Sequence, residues 1–278
     1  MRFPHVLVVG AGQMGGGIAQ VLAASGRRVT LIDDAPGATG RALERMSASL
    51  EKLAAKGAPH RPDEVLARVE VGEDVVPAEL LIEAIVEEPA AKEELFRRAD
   101  RVLPAEAILA SNTSSISITQ LAAATARPER VIGMHFFNPA PLMGLVEVVR
   151  GLETSDETAE AVVGLARELD KTPAEARDYP GFVANRILMP LINEAAYALM
   201  EGVADAESID TIARLGLNHP LGPLALADLI GLDTCVAIME VLHDGLGSPK
   251  YAPCPLLRRY VAAGRLGRKS GRGFFEYA

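Results

Sequence analysis

Two residues draw attention because their neighbours make them costly. His135 ends an apolar run over 131–134, and Glu147 interrupts another over 145–149. A carboxylate buried without a partner costs on the order of several kcal/mol, so a glutamate inside an apolar strand requires one. Between the two runs lies FFNPAPLMG, a loop by its Pro and Gly content. If the runs form a hairpin centred near Pro141, His135 and Glu147 fall opposite each other. A neutral imidazole is a competent base near pH 7. A carboxylate on its other nitrogen fixes the tautomer and stabilises the imidazolium. A histidine alone on such a strand would more often be a satisfied core residue; the glutamate is what tips the reading toward acid–base chemistry.

A second chemistry is written near the start. Gly10-Ala11-Gly12-Gln13-Met14-Gly15 follows a short apolar run and opens a helical pattern in which Met14, Ile18, Val21 and Leu22 share a face. Glycines there allow a tight turn, close backbone approach to a pyrophosphate and tight helix–strand packing. The helix N-terminus supplies N–H groups and a partial positive charge for phosphates. The next apolar run, 29–32, ends at Asp33 and Asp34. A carboxylate at 33 can accept both hydroxyls of a ribose and repels a 2′-phosphate. Asp34 adds to that repulsion, and no arginine occupies Ala35 or Pro36, so NAD is expected rather than NADP. The plainer reading is a glycine turn that binds no nucleotide; strand, helix and acid in the right order weigh against it.

These residues need a frame. Residues 38–56 read as a helix, 57–63 as a loop, 80–86 as an apolar run followed by a helix over 89–101, and 107–110 as a further short strand. Ser111-Asn112-Thr113-Ser114-Ser115 follows that strand and reads equally well as a helix cap. From Gly181 onward the strands stop, and helical patterns run through 182–202, 206–215, 222–243 and 255–263. Asn185 sits in the first of them, where an asparagine ordinarily means nothing. Alternating strands and helices followed by helices alone imply two domains. The expected fold is α/β: a Rossmann-type N-terminal domain over 1–179 and an all-α C-terminal domain over 180–278, with substrate held between them.

The bulk numbers narrow the partners. A net charge of −9 with no basic tract argues against nucleic acid or an anionic membrane as the main partner. Cys235 and Cys254 form no paired motif, so no disulfide scaffold is expected and a reducing, cytoplasmic setting fits. The chain enters its first apolar strand within a few residues of Met1 and has no apolar run near ~18 residues, so neither a leader nor a membrane span is expected. No metal site is expected.

Several blocks carry a resemblance: GAGQMGGGIAQ (10–20), IEAIVEE (82–88), SNTSS (111–115), GMHFFNPAPLMGLVEVV (133–149), GFVANRIL (181–188), NHPLGPLALADLIGLDT (218–234) and GRLGRKSGRGFFEY (264–277). Together they resemble the 3-hydroxyacyl-CoA dehydrogenase family over essentially the whole chain. In length the chain is similar to the free-standing bacterial enzymes described as 3-hydroxybutyryl-CoA dehydrogenases. The resemblance implies NAD-dependent oxidation of an L-3-hydroxyacyl-CoA and a homodimer built on the helical domain. It implies that His135 is the general base, Glu147 its carboxylate partner, Ser114 the hydroxyl on the substrate oxygen and Asn185 an amide that positions the same region. It places Asp33 on the adenosine ribose. Glu88 (or Glu87, since the register is ambiguous) and Lys92 fall near the nicotinamide ribose and pyrophosphate. Asn112 and Ser114 border the cofactor, and Ser49 and Lys56 fall at CoA-contacting positions. Gln13 departs from the more usual threonine, Gly16 and Gly17 make the turn unusually glycine-rich, and 57–81 matches loosely. Two rivals remain: an NAD-dependent sugar-acid dehydrogenase of the gulonate type, since fold does not settle substrate, and a catalytically silent NAD-binding protein.

Asp33 generates the first test. In Asp33→Ala, the preference for NADH over NADPH, as a ratio of kcat/KM values, is expected to fall by about tenfold or more, the worth of one hydrogen bond to a charged group. An unchanged ratio would remove that carboxylate from cofactor selection.

Overall fold

The strand β1 (His5–Val9) is buried along its whole length, as a strand must be when helices cover both faces of its sheet. A computed structural model describes residues 2–277. The chain divides into two compact units, Met1–Tyr179 and Pro180–Ala278.

In the first unit β1 leads through α1 (Gln13–Ala24) to β2 (Arg28–Ile32), then α2 (Ala38–Ala55), α3 (Pro62–Leu66) and β3 (Val69–Val71). A second half follows: β4 (Leu80–Glu83), α4 (Pro89–Val102), β5 (Ile108–Ser111), α5 (Ile118–Ala123) and β6 (Val131–Phe136). The chain then turns into β7 (Leu145–Arg150), α6 (Asp156–Glu168) and β8 (Thr172–Arg177). These strands form one eight-stranded sheet in the order β3-β2-β1-β4-β5-β6-β7-β8. The first six are parallel, β7 runs antiparallel to β6, and β8 is parallel to β7. The parallel part has the doubly wound order whose strand direction of travel reverses between β1 and β4. Val6, Val8, Leu31, Ile82, Ala110 and Met134 carry one core from strand to strand.

The second unit is helical: α7 (Ala184–Met200), α8 (Ala206–Gly216), α9 (Pro223–Ile230), α10 (Leu232–Leu246) and α11 (Pro255–Ala262). Met189, Ile192, Leu232, Cys235, Met239 and Leu257 fill its core. Both thiols are buried, and burial pushes Cys235 up to about 12, with the charges of Asp233 and Asp228 adding to it.

Three local expectations change. Residues 57–63 do not form a loop throughout, because Pro62 takes the first-turn position of α3, where a missing N–H is harmless. The single helix expected over 222–243 is two: Gly231, at φ 107°, ends α9 and starts α10. The apolar run over 80–86 is strand only as far as Glu83. The stretch from Asp156 to Arg177, to which the sequence assigns no element, holds α6 and β8.

Candidate active site

The turn between β1 and α1 sits where the strand order reverses. Gly10 has φ 101°, and a side-chain carbon there would overlap the carbonyl of Ala84 just past β4. A side chain at Gly15 would overlap the carbonyl of Gly10 itself. At Gly12 the opposite holds: an added carbon would meet nothing within 4 Å. The turn therefore closes tightly on its neighbours and leaves room above Gly12 for an outside group to reach the backbone. Asp33 is locked beside it, accepting the Ala11 N–H at 2.6 Å and the Ala35 N–H at 2.8 Å. Open space at a helix N-terminus with a fixed carboxylate at the end of β2 fits a dinucleotide's pyrophosphate and ribose. The extra glycines also have local reasons. A carbon added at Gly16 would lie 3.4 Å from Ala42 of α2, and one at Gly17 would lie 3.3 Å from Ala140 and Pro141. Met14 is half-buried in the first turn of α1.

A buried charged network closes the ends of β4 and β5. Glu83 is fully buried and pairs with Lys92, which is 1 % exposed. The same carboxylate accepts the Ser111 hydroxyl at 2.6 Å and the Ile85 N–H at 2.7 Å. Burial pushes Glu83 above the usual carboxylate range, against the pull of Lys92 and these donors. Lys92 also reaches Glu87 at 3.2 Å. Oε1 of Glu87 then accepts the Thr113 hydroxyl at 2.6 Å and the Ser114 N–H at 2.9 Å, with the Ser114 hydroxyl at 3.3 Å. Burial alone would raise Glu87. The Lys92 charge and the Thr113 and Ser114 hydrogen bonds together outweigh it and hold the carboxyl below the usual range. Of the two candidate glutamates it is thus Glu87 that binds Lys92 and the Ser111–Ser115 turn. Glu88 is exposed and serves through its backbone, at the start of α4. Lys92 holds carboxylates together instead of presenting its charge at the surface.

The β6–β7 hairpin completes the arrangement. Its register sets His135 opposite Glu147, so both side chains share a face. His135 Nδ1 lies 2.7 Å from Glu147 Oε2, and both residues are buried. A carboxylate only accepts, so the ring proton sits on Nδ1 and Nε2 is the basic nitrogen. The ring of Phe137 packs against the imidazole at a centroid distance of 4.7 Å. Asn112 fixes the strand end from the side: its Oδ1 accepts the Phe136 N–H at 2.8 Å. His135, Asn112 and Ser114 therefore emerge from the same ends of the neighbouring strands β5 and β6.

Residues 5–179 match the family model for the NAD-binding domain of 3-hydroxyacyl-CoA dehydrogenase, and residues 181–277 match that for its C-terminal domain. The chain belongs to the 3-hydroxyacyl-CoA dehydrogenase family. It is 55 % identical to a probable 3-hydroxybutyryl-CoA dehydrogenase of Bacillus subtilis, over 100 % of this chain and 98 % of the relative. It is 41 % identical to the mitochondrial hydroxyacyl-coenzyme A dehydrogenase of Sus scrofa, over 98 % of this chain and 91 % of that one. Its fold is similar to the crystal structure of (S)-3-hydroxybutyryl-CoA dehydrogenase from Ralstonia eutropha, with a TM-score of 0.95, 46 % identity and 99 % of each chain covered.

The first unit is thus the NAD-binding domain of a 3-hydroxyacyl-CoA dehydrogenase family member. Ser49 and Lys56 lie seven residues apart on one face of α2 and at its C-terminal cap, Ser49 half-buried and Lys56 exposed. They are not at the strand ends; at about 1.5 Å per residue, Lys56 stands ~16 Å along the helix from Arg45, which donates to the Ala11 carbonyl at 2.9 Å. In the second unit Asn185 is buried in the first turn of α7. Its N–H donates to the carbonyl of Gly181 at 3.1 Å, and Gly181 takes φ 72° with no room for a side chain against Leu242. Sequence reasoning misses Glu83, Arg45, and Asn138, whose side chain accepts from Gln13 Nε2 at 2.9 Å. Glu83 ends an apolar strand just as Glu147 interrupts one, and the same cost argument would have found it. Among the described residues no helix is long and apolar enough to cross a membrane.

Glu87 carries the pH prediction. Its folded-state pKa lies below the ordinary 4.5, so its stabilisation is fully present above that pH and is lost as pH falls through the folded value. Glu87→Gln is expected to lower Tm at neutral pH, with the deficit shrinking toward zero in acid below pH 4.5. A deficit constant across that range, by thermal denaturation, would contradict the assignment.

Proposed function

We propose that the chain catalyses the reversible NAD-dependent oxidation of (S)-3-hydroxyacyl-CoA to 3-ketoacyl-CoA, with 3-hydroxybutyryl-CoA as its substrate. The observation that carries this is the buried 2.7 Å contact between His135 and Glu147 on a hairpin beside the glycine turn. The names of the similar bacterial enzymes support the four-carbon substrate.

His135 Nε2 takes the proton of the 3-hydroxyl as the alcohol becomes a ketone, and returns it in the reverse direction. Glu147 holds the ring through Nδ1 and stabilises the imidazolium that forms. Ser114, whose N–H is fixed by Glu87, offers its hydroxyl to the substrate oxygen. Asn185, by the family resemblance, would contribute a positioning amide. Gly10, Gly12, Gln13, Met14, Gly15 and Asp33 would hold the pyrophosphate and adenosine ribose, with Glu87, Asn112 and Ser114 at the nicotinamide end and Lys92 organising them. NAD held there would supply the hydride acceptor that oxidation of the alcohol carbon requires. Ser49 and Lys56 form a CoA-facing stripe on α2. We further propose a cytoplasmic homodimer with its interface on the helical unit. Exposed Ile187, Ile212, Leu215 and Leu217 support the interface, and two unpaired buried thiols suit a reducing compartment.

The test follows NADH consumption with acetoacetyl-CoA, against NADPH and against gulonate with NAD. NADH-dependent turnover of the thioester is expected. In His135→Gln it should fall by ~10² or more with NADH binding nearly intact. Gulonate oxidation without thioester turnover would overturn the substrate, and near-wild-type turnover by His135→Gln would overturn the mechanism.

A further inference from the structure

A buried lysine that the mechanism does not use stands behind the His135 hairpin. Lys171 follows α6: its own N–H caps the Ala166 carbonyl at 2.9 Å, and Asp170 before it adopts the left-handed conformation, φ 54°. This corner sends the Lys171 side chain inward, where Nζ donates to the carbonyls of Ala140 at 2.9 Å and Met143 at 2.7 Å. The next residue, Thr172, donates its N–H to the Gly144 carbonyl at 2.7 Å. Three carbonyls of the connection between β6 and β7 are thus tied to one corner. An ammonium buried against neutral carbonyls is expensive, and burial pulls Lys171 below the usual lysine range. An apolar side chain of similar length would fill the space at lower cost, so packing alone does not account for the charge.

The connection it holds is the one on which the site turns. Phe137 at its start packs on the His135 ring. Asn138 accepts from Gln13 of the glycine turn. Ala140 and Pro141 approach α1 at Gly17 so closely that a side-chain carbon there would lie 3.3 Å from each. The pair Phe136–Val146 is all that separates His135–Glu147 from this connection.

We propose that Lys171 is a positioning residue for the His135–Glu147 pair: by fixing the Ala140 and Met143 carbonyls it clamps the hairpin connection between the end of α6 and the glycine turn. The inference rests on the reaction proposed above for its kinetic readout, but not for its spectroscopic one.

The experiment compares wild type with Lys171→Met and with Lys171→Gln, which keeps an N–H donor. Steady-state kinetics with NADH and acetoacetyl-CoA, the pH dependence of kcat, thermal denaturation and the downfield imidazole N–H resonance of His135 by proton NMR are recorded for each. Lys171→Met is expected to lose about tenfold or more in kcat, with a displaced pH–rate profile and a broadened His135 resonance, and Lys171→Gln to fall between it and wild type. A folded variant with a lower Tm but unchanged kcat, pH profile and resonance would overturn the proposal, as would failure of both variants to fold, which would make Lys171 a folding residue only. If wild type itself fails to reduce acetoacetyl-CoA, the reaction is wrong, and the resonance alone decides the role of Lys171.

Discussion

Glu147 is a carboxylate on an interior strand, paired on one side with β6 and on the other with β8. It is 4 % exposed there, so it needs a partner supplied by the fold. A residue directly across the hairpin meets it without distorting the sheet, and the register makes that residue His135. Slipping β7 by one residue against β6 would turn Glu147 to the face opposite His135 and part the pair. The contact is therefore structural and chemical at once: it satisfies a buried charge, and it leaves the imidazole in the tautomer with a basic Nε2.

A second buried carboxylate repeats the logic three strands away. Glu83 ends β4 as Glu147 interrupts β7, and it is satisfied by Lys92 and Ser111. Removing one partner of such a pair typically costs about 3–5 kcal/mol, because the other charge is left buried alone. Through Lys92 the network extends to Glu87, and from there to Thr113 and Ser114. Ser114, half-buried at the strand ends, is thus held by the exposed Glu87, which is itself tied to the fully buried Lys92 and Glu83. The glycine turn joins the two halves. It presses on Ala84 through Gly10, on α2 through Gly16 and on the hairpin connection through Gly17.

Much of this was legible before any coordinates. The apolar runs, the glycine turn and the two halves of the chain follow from periodicity, and the His135–Glu147 register follows from counting about Pro141. The roles of Ser114 and Asn185 came only from resemblance, because a serine after a strand and an asparagine on a helix have ordinary uses everywhere. Residue type does not distinguish Glu87 from Glu88; the backbone after β4 brings Glu87 to Lys92 and leaves Glu88 at the start of α4. β8 escaped notice because it is a polar edge strand without an apolar run. Gly231 lies inside the apolar helical pattern over 222–243, and its φ of 107° makes it a break. Lys171 was invisible for a simpler reason. Its partners are backbone carbonyls of Ala140 and Met143, far back in the chain, and every residue has a carbonyl to offer whatever its type.

The claim at the centre is that Glu147 acts on the reaction through His135. The direct measurement is the pH dependence of kcat for acetoacetyl-CoA reduction by Glu147→Gln beside wild type. A carboxylate favours the charged form of its neighbour, and reduction needs the imidazolium as acid. The variant should therefore show a kcat lower by about tenfold or more, with its alkaline limb moved to lower pH. A variant that is slower but keeps the wild-type limb, or one that keeps both, would contradict the account.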